Sequence, residues 1–439
     1  MMDNSSMQAL AREAVLYALP LYEMARMRAA TCPRRDAQGR FAGSTPESTL
    51  RWVNHFIHTR QLLGPRHRQV VTPNNDTLYT NAWLDLSEGP VIVTAPASGA
   101  RYYVLGLLDM YTNPFGYIGT RTTGNDAGRF LLHGPNWNAS VPAGVTPLAC
   151  PTDAVWIIGR VMVNDETDLA AAHAFQDGFS LTREDGGPAH RAYDVGMQPN
   201  EFMRDPQRFA TVVNRALREN PPPAHETAMV ERFAAVGIGA GQGDALSEAH
   251  TSLLGDAIGA VLEEVGAPQP SELGGGWFLP VEVHESYGDD YFARAQVARN
   301  YIGALGIEEA MYIMADRDAD GAPLDGSHAY ELHFPPGGLP QVDAFWSITM
   351  YDKADCMLVD NPLNRYSLGD RSPTMRNDPD GGLRLLFSAQ PPKDPAAQGN
   401  WLPAPSAPFY LTLRLYMPRR AHLERTFVYP SIQRLSSRG

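Results

Sequence analysis

The chain has 439 residues, long enough for two or three domains with full hydrophobic cores. Its 44% hydrophobic and 19% charged residues exclude a disordered chain, and a net charge of −13 argues against a nucleic-acid partner, whose phosphates need a basic surface. Gly 39 and Pro 36 together favour many turns and short strands over long helices.

In chain order, the N-terminus opens with Asp3 rather than a basic region. Glu13, Tyr17, Pro20 and Glu23 interrupt its apolar residues, so it reads as neither a signal peptide nor a membrane span. Cys32, Cys150 and Cys356 are too scattered for a disulfide framework or a Cys-based zinc site; free thiols and a cytoplasmic location are expected. Helical spacing at Leu10, Ala14, Leu16, Ala18 and Leu19 predicts a helix over 5–30, kinked or divided at Pro20. A second amphipathic helix is predicted over 46–63, with Leu50, Val53, Phe56, Ile57, Leu62 and Leu63 as its stripe. From Val70 the period changes to short apolar runs bounded by Gly, Pro and Asn: 82–86, 91–93, 102–108, 129–132 and 155–161. This block reads as an antiparallel sandwich or barrel.

Helices follow at 165–180, 205–219, 226–236 and 247–265, then a glycine-rich connector through Gly274–Gly276 and a helix over 291–305. A second β block has strands at 310–315, 330–334, 345–351, 383–388 and 409–416. The expected class is mainly β with a helical insert (α+β). Its divisions are N-terminal helices (1–64), a first β-sandwich (65–164), the insert (165–270), a connector with a helix (271–308) and a second β-sandwich (309–439).

The segment Pro73-Asn74-Asn75-Asp76-Thr77-Leu78-Tyr79 resembles the hallmark of domain of unknown function 1254. Arg101-Tyr102-Tyr103, Asp109, Asn113, Arg121–Gly124 and Gly134-Pro135 are similar to its other motifs. Leu332–Pro335, Phe345–Asp352, Asn361-Pro362, Asn364–Arg371, Asn400–Pro405 and Arg414–Pro418 resemble domain of unknown function 1214. The resemblance spans most of 10–420 and implies two jelly-roll-like sandwiches, one with a helical insert. It implies no function. Many members open with a secretory signal, which this N-terminus does not resemble.

Chemistry-bearing residues fall into two groups. The turn at 72–79 holds more polar groups than a turn needs, which points to a preorganised site on a β scaffold. Asn74, Asn75, Asp76, Thr77 and Tyr79 are grouped with Arg101, Asp109, Tyr111 and Arg121. Asp76 and Asp109 can form an acid–base pair, Tyr79 or Tyr111 can donate a proton, and Arg101 or Arg121 can clamp a carboxylate or phosphate. The structural alternative has Asp76 capping the turn and pairing with an arginine to fasten the sheet. The second group is Arg365, Tyr366, Asp370 and Arg371 with Asn400 and Trp401. There, indole stacking beside an amide suits a sugar-like ring, against the alternative of a core Trp with its N–H satisfied.

Asp316, Asp318, Asp320 and Gly321 match the start of a calcium loop. Ser327 at the twelfth position cannot supply the bidentate carboxylate, so a hairpin turn is expected. His55 and His58 lack an acidic residue to complete a metal set, and a divalent metal stays a lesser alternative. No nucleophile elbow or phosphate-binding loop occurs, so no organic cofactor is expected. The favoured function is an enzyme doing acid–base chemistry (hydrolase, lyase or isomerase) on a polar or cyclic, sugar-like or carboxylated small molecule. A non-catalytic binding protein and an assembly protein are the alternatives. The expected partner is a small molecule, without nucleic acid or membrane, and homo-oligomerisation is left open.

Overall fold

The computed structural model describes residues 3–35, 41–42, 48–68, 71–199, 201, 203–243, 245–267 and 269–436. Val70, predicted to begin the β block, lies outside them. Asp3 caps α1 (Asn4–Thr31) by accepting from Ser6 N–H at 2.8 Å. The helix runs unbroken through Pro20. It is buried on most sides, and that packing outweighs the hydrogen bond the proline removes.

The predicted helix over 46–63 does not form. After the short pair β1 (Arg34–Arg35) and β2 (Phe41–Ala42) come β3 (Leu50–Val53) and β4 (Ile57–His58). The apolar spacing suited either state, and pairing with strands far away in the chain decided it.

The first sandwich continues with β5 (Thr77–Asp85), β6 (Val91–Ala95), β7 (Tyr103–Leu108), β8 (Pro114–Gly119), β9 (Gly128–His133), β10 (Thr146–Ala149) and β11 (Ala154–Met162). After α2 (Leu169–Asp177) come β12 (Ser180–Thr182) and β13 (Arg191–Asp194), which pairs with β3. A five-stranded sheet, β4-β5-β11-β7-β8, faces a four-stranded one, β10-β9-β6-β12. Leu84, Val93, Leu105, Leu132 and Ile157 fill the space between.

The helices α3 (Pro206–Glu219), α4 (Thr227–Arg232) and α5 (Glu248–Gly266) lead to β14 (Ser271–Gly274) and β15 (Trp277–Leu279). The expected connector is therefore partly strand. Beyond α6 (Tyr291–Asn300) lie β16 (Ala310–Ala315), β17 (Tyr330–Phe334), β18 (Val342–Asp352), β19 (Ser367–Gly369), β20 (Leu383–Ser388), β21 (Trp401–Pro403) and β22 (Phe409–Pro418), then α7 (Arg420–Leu423) and β23 (Ile432–Arg434). They build a six-stranded sheet, β14-β15-β16-β22-β18-β19, over a four-stranded one, β21-β20-β17-β23. Ile313, Leu332, Ile348, Leu385 and Leu413 form that core. The fold is mainly β plus helices (α+β). Two edge pairs, β9/β10 and β20/β21, are parallel, which corrects the all-antiparallel expectation.

The central strands of the larger sheets, β7 and β11 in the first sandwich and β18 and β22 in the second, are buried on both faces. Helix α1, packed with α3, α5 and α6, covers part of the five-stranded sheet, where Trp83 and Trp156 stack at 5.4 Å. Another part meets the six-stranded sheet through Tyr102, Phe345 and Tyr416. That contact places the candidate site between the two halves. Among the described residues, no helix is long and apolar enough to cross a membrane.

Candidate functional site

The turn before β5 is held almost entirely by the second half of the chain. Thr72 adopts φ +50°, a left-handed conformation that β-branched residues avoid. Contacts from β18, β22 and the loop after β18 hold it there. Thr72 N–H donates to Cys356 O at 2.8 Å, its hydroxyl meets Tyr410 OH at 2.7 Å, and its carbonyl accepts from Arg414 at 3.2 Å. Tyr351 OH donates to Pro73 O at 2.7 Å. Asn74 closes the turn by accepting from Asp76 N–H at 2.7 Å, and its amide donates to Tyr416 OH at 2.6 Å.

Asp76 is 3% exposed and carries the main electrostatic link. One oxygen accepts from Ser347 Oγ at 2.6 Å and the other from Arg371 Nη2 at 2.6 Å. The Arg371 guanidinium carbon sits over the Phe345 ring, 4.0 Å from its centre, and the side chain also donates to Val163 O. Next to it, Asp370 is exposed to solvent on one side, and its carboxyl accepts from Trp346 N–H at 3.2 and 3.3 Å. Partial desolvation of that carboxyl by the surrounding protein pushes its pKa up to about 6; the Trp346 N–H and Arg371 oppose the rise and Asp76 adds to it.

Beside these groups lies a cavity of about 370 Å³. Asn75, Asp76, Asn164 and Asp165 line it from the first half; Ser347, Arg365, Tyr366, Arg371 and Thr374 line it from the second. Asn75 Oδ1 and Arg371 Nε are buried without a hydrogen-bond partner. Arg365 is committed to the backbone, donating to Gln398 O at 2.7 Å and Trp401 O at 2.8 Å. The wall at Asn164 is braced from behind, because Arg101 grips Asp168 with both terminal nitrogens at 2.8 and 2.5 Å and Asp168 accepts from Asn164 N–H at 2.9 Å. The Arg101 guanidinium holds the Asp168 carboxyl below its usual range.

Residues 53–183 match the family model described as Protein of unknown function (DUF1254), and residues 309–420 match that described as Protein of unknown function (DUF1214). The chain belongs to the two-domain DUF1254–DUF1214 family. Its fold is similar to the crystal structure of the VPA0106 protein from Vibrio parahaemolyticus, with a TM-score of 0.74 at 24% identity, over 98% of this chain and all of that one (100%). An uncharacterized protein from Burkholderia cenocepacia aligns with a TM-score of 0.42 at 11% identity, over 98% of this chain and 95% of that one. No curated protein matches.

Of the DUF1254 residues grouped from sequence, Asn75 and Asp76 line the cavity and the others do not. Asn74 and Thr77 are buried in the turn itself. Tyr79 lies against the buried Arg160 guanidinium, 4.5 Å from the centre of its ring. Asp109 does not pair with Asp76. Its oxygens accept from Tyr111 N–H, Asn113 N–H and the Asn113 amide at 2.8–2.9 Å, closing a local turn, and burial raises its pKa. Tyr111 points into the helical layer and donates to Asn220 O at 2.9 Å. Arg101 braces the wall and forms no clamp. Arg121 is held by Glu309 at 2.6 Å, with Glu285 and Glu308 at 3.3 Å.

Of the DUF1214 residues, Arg365, Tyr366 and Arg371 line the cavity; Asp370, flanked in sequence by the lining residues Gly369 and Arg371, is not itself part of the lining. The proposed ring-stacking face at Asn400 and Trp401 is absent from the lining. Asn400 bonds to the backbone of Arg376 and Arg384, and Trp401 is 7% exposed with its N–H on Ser388 O at 2.9 Å. The Asp316–Gly321 loop is a tight turn in which Asp318 accepts from Asp320 and Ala322 N–H. His55 and His58 lie at a strand edge, His58 meeting Thr80 Oγ1 at 3.1 Å.

Ser347 and Asn164 escaped the sequence reading. For Ser347 a signal exists: Ser347, Thr349 and Tyr351 alternate with apolar residues on β18, opposite Arg414, Thr412 and Tyr410 of β22. Such alternation usually marks a solvent-facing side. Here that side faces the other half of the molecule, and Ser347, Thr349, Thr412 and Arg414 are all buried.

Proposed function

We propose that the cavity between the halves binds a polar small molecule and acts on it by acid–base chemistry, as a hydrolase, lyase or isomerase. The supporting observation is the pair of carboxylates on either side of Arg371. Asp76 is ion-paired and buried, while Asp370 has a pKa of about 6 and contact with solvent. A carboxyl near 6 exchanges a proton with substrate in both directions close to neutral pH, which suits a general base. Arg371 Nε–H is buried in the cavity wall without a hydrogen-bond partner, and a small side-chain shift would turn it toward negative charge developing on the substrate. Tyr366, whose hydroxyl meets Asn364 Oδ1 at 3.1 Å, lines the same space and can orient the ligand.

A second reading rests on Asp76 alone. With each of its oxygens engaged, the Asp76–Arg371 pair serves as a strut between the halves, and the cavity binds a ligand without transforming it. A turnover screen over cyclic polyols, lactones and sugar acids separates the two. The acid–base reading expects a rate that rises through about pH 6 as Asp370 ionises. Binding with no turnover across the panel favours the strut with a passive pocket, and a pH-independent rate removes Asp370 as the base.

A further inference from the structure

Resting on the cavity being a ligand site, we infer that its ligand is an uncharged, hydroxyl-rich molecule of sugar-like chemistry and not a carboxylate or phosphate. Recognition of an anion is strongest at a free guanidinium fork, and both cavity arginines are partly committed to protein acceptors. Each terminal nitrogen of Arg371 already donates once, to Val163 O and to Asp76. Arg365 donates to Gln398 O and Trp401 O from one terminal nitrogen and to Thr374 Oγ1 at 3.3 Å from the other.

Charge points the same way. Within the lining, Asp76 and Asp165 balance Arg365 and Arg371, two against two. An anion entering this space meets no net attraction.

The unpartnered atoms specify what remains. Arg371 Nε–H needs an acceptor and Asn75 Oδ1 needs a donor. A hydroxyl group supplies both roles, whereas a carboxylate or phosphate dianion only accepts and leaves the Asn75 oxygen unsatisfied. The other polar lining groups are amides and hydroxyls, Asn164, Asn364, Ser367 and Ser372 among them, and Leu62, Val163, Leu363, Leu368 and Pro373 add apolar surface. Such a lining matches a polyol of several O–H groups.

The test is isothermal calorimetry on the full chain with matched probes: neutral hexoses and inositols, the corresponding uronates, and the hexose 1-phosphates. Neutral probes are expected to bind at least tenfold more tightly than their charged counterparts. Asn75→Ala is expected to weaken them about tenfold, and Asn75→Asp, which keeps an acceptor oxygen at that position, to weaken them less. Uronates or phosphates binding as well as or better than the neutral sugars, with Asn75→Ala still weakening them, overturn the polyol inference and leave the cavity as the site. Neutral binding that is indifferent to Asn75→Ala, or no binding by any probe, overturns the inference and the cavity reading together.

Discussion

Arg371→Ala is expected to destabilise the folded chain by about 3–5 kcal/mol, the loss found when one partner of a buried ion pair is removed and the other stays behind. Asp76 is 3% exposed, and in the variant it keeps only Ser347 as a side-chain partner. The loss falls at the joint between the halves, because Arg371 also holds Val163 O at the cavity wall and packs over Phe345. The double variant Arg371→Ala/Asp76→Ser is expected to be more stable than the sum of the single losses, since no buried charge is left alone. Urea midpoints for the four proteins measure this, taken from the first transition because a chain of this size need not unfold in one step. A loss below about 1 kcal/mol for Arg371→Ala, the range of solvent-exposed pairs, rules out the joint described here.

Asp370→Asn is expected to lower turnover by about 10²–10⁴-fold, the usual contribution of a positioned general base, and to leave ligand binding in place. The amide retains an oxygen to accept the Trp346 N–H, so the local fold is kept. Stability is expected to move in the opposite direction to activity. The Asp370 carboxyl binds its proton more tightly in the fold than in the unfolded chain. Its stabilising contribution is therefore present below about pH 4 and is lost as pH rises through about 6. Removing the charge thus makes the variant slightly more stable than the native chain above pH 6, a small effect because the residue meets solvent. Thermal unfolding at pH 5 and pH 8, set beside turnover, measures both. Equal loss of activity and stability at pH 8 would show that Asp370 supports the fold and does not act on substrate.

Local patterns in the sequence carried much of the architecture. Helix α1 and the strands around Trp83, Tyr103, Ile157, Ile348 and Leu413 follow from spacing within one element. The 46–63 segment failed because its apolar residues fit either period, and distant strands decided between them. The site was half legible. The surplus of polar groups at 72–79 is real, and so is the cluster at 365–371, but each was assigned partners from its own half. In the fold they meet one another: Asp76 bonds Ser347 across 271 residues and Arg371 across 295. Asp109 and Arg121 misled for the same reason, since an acid or a base in a turn does not announce whether its partner is a substrate, its own backbone or a distant Glu309. Most of the surplus polarity at 72–79 docks one half on the other, which leaves Asn75 and Arg371 with atoms to spare.

The most direct measurement is a crystal structure of the protein soaked with the neutral hexose that calorimetry finds to bind best. Density in the cavity between the halves, within hydrogen-bond distance of Asn75 Oδ1 and Arg371 Nε and beside Asp370, is the predicted result. The same sugar bound elsewhere on the molecule, with this cavity holding only water, would contradict it.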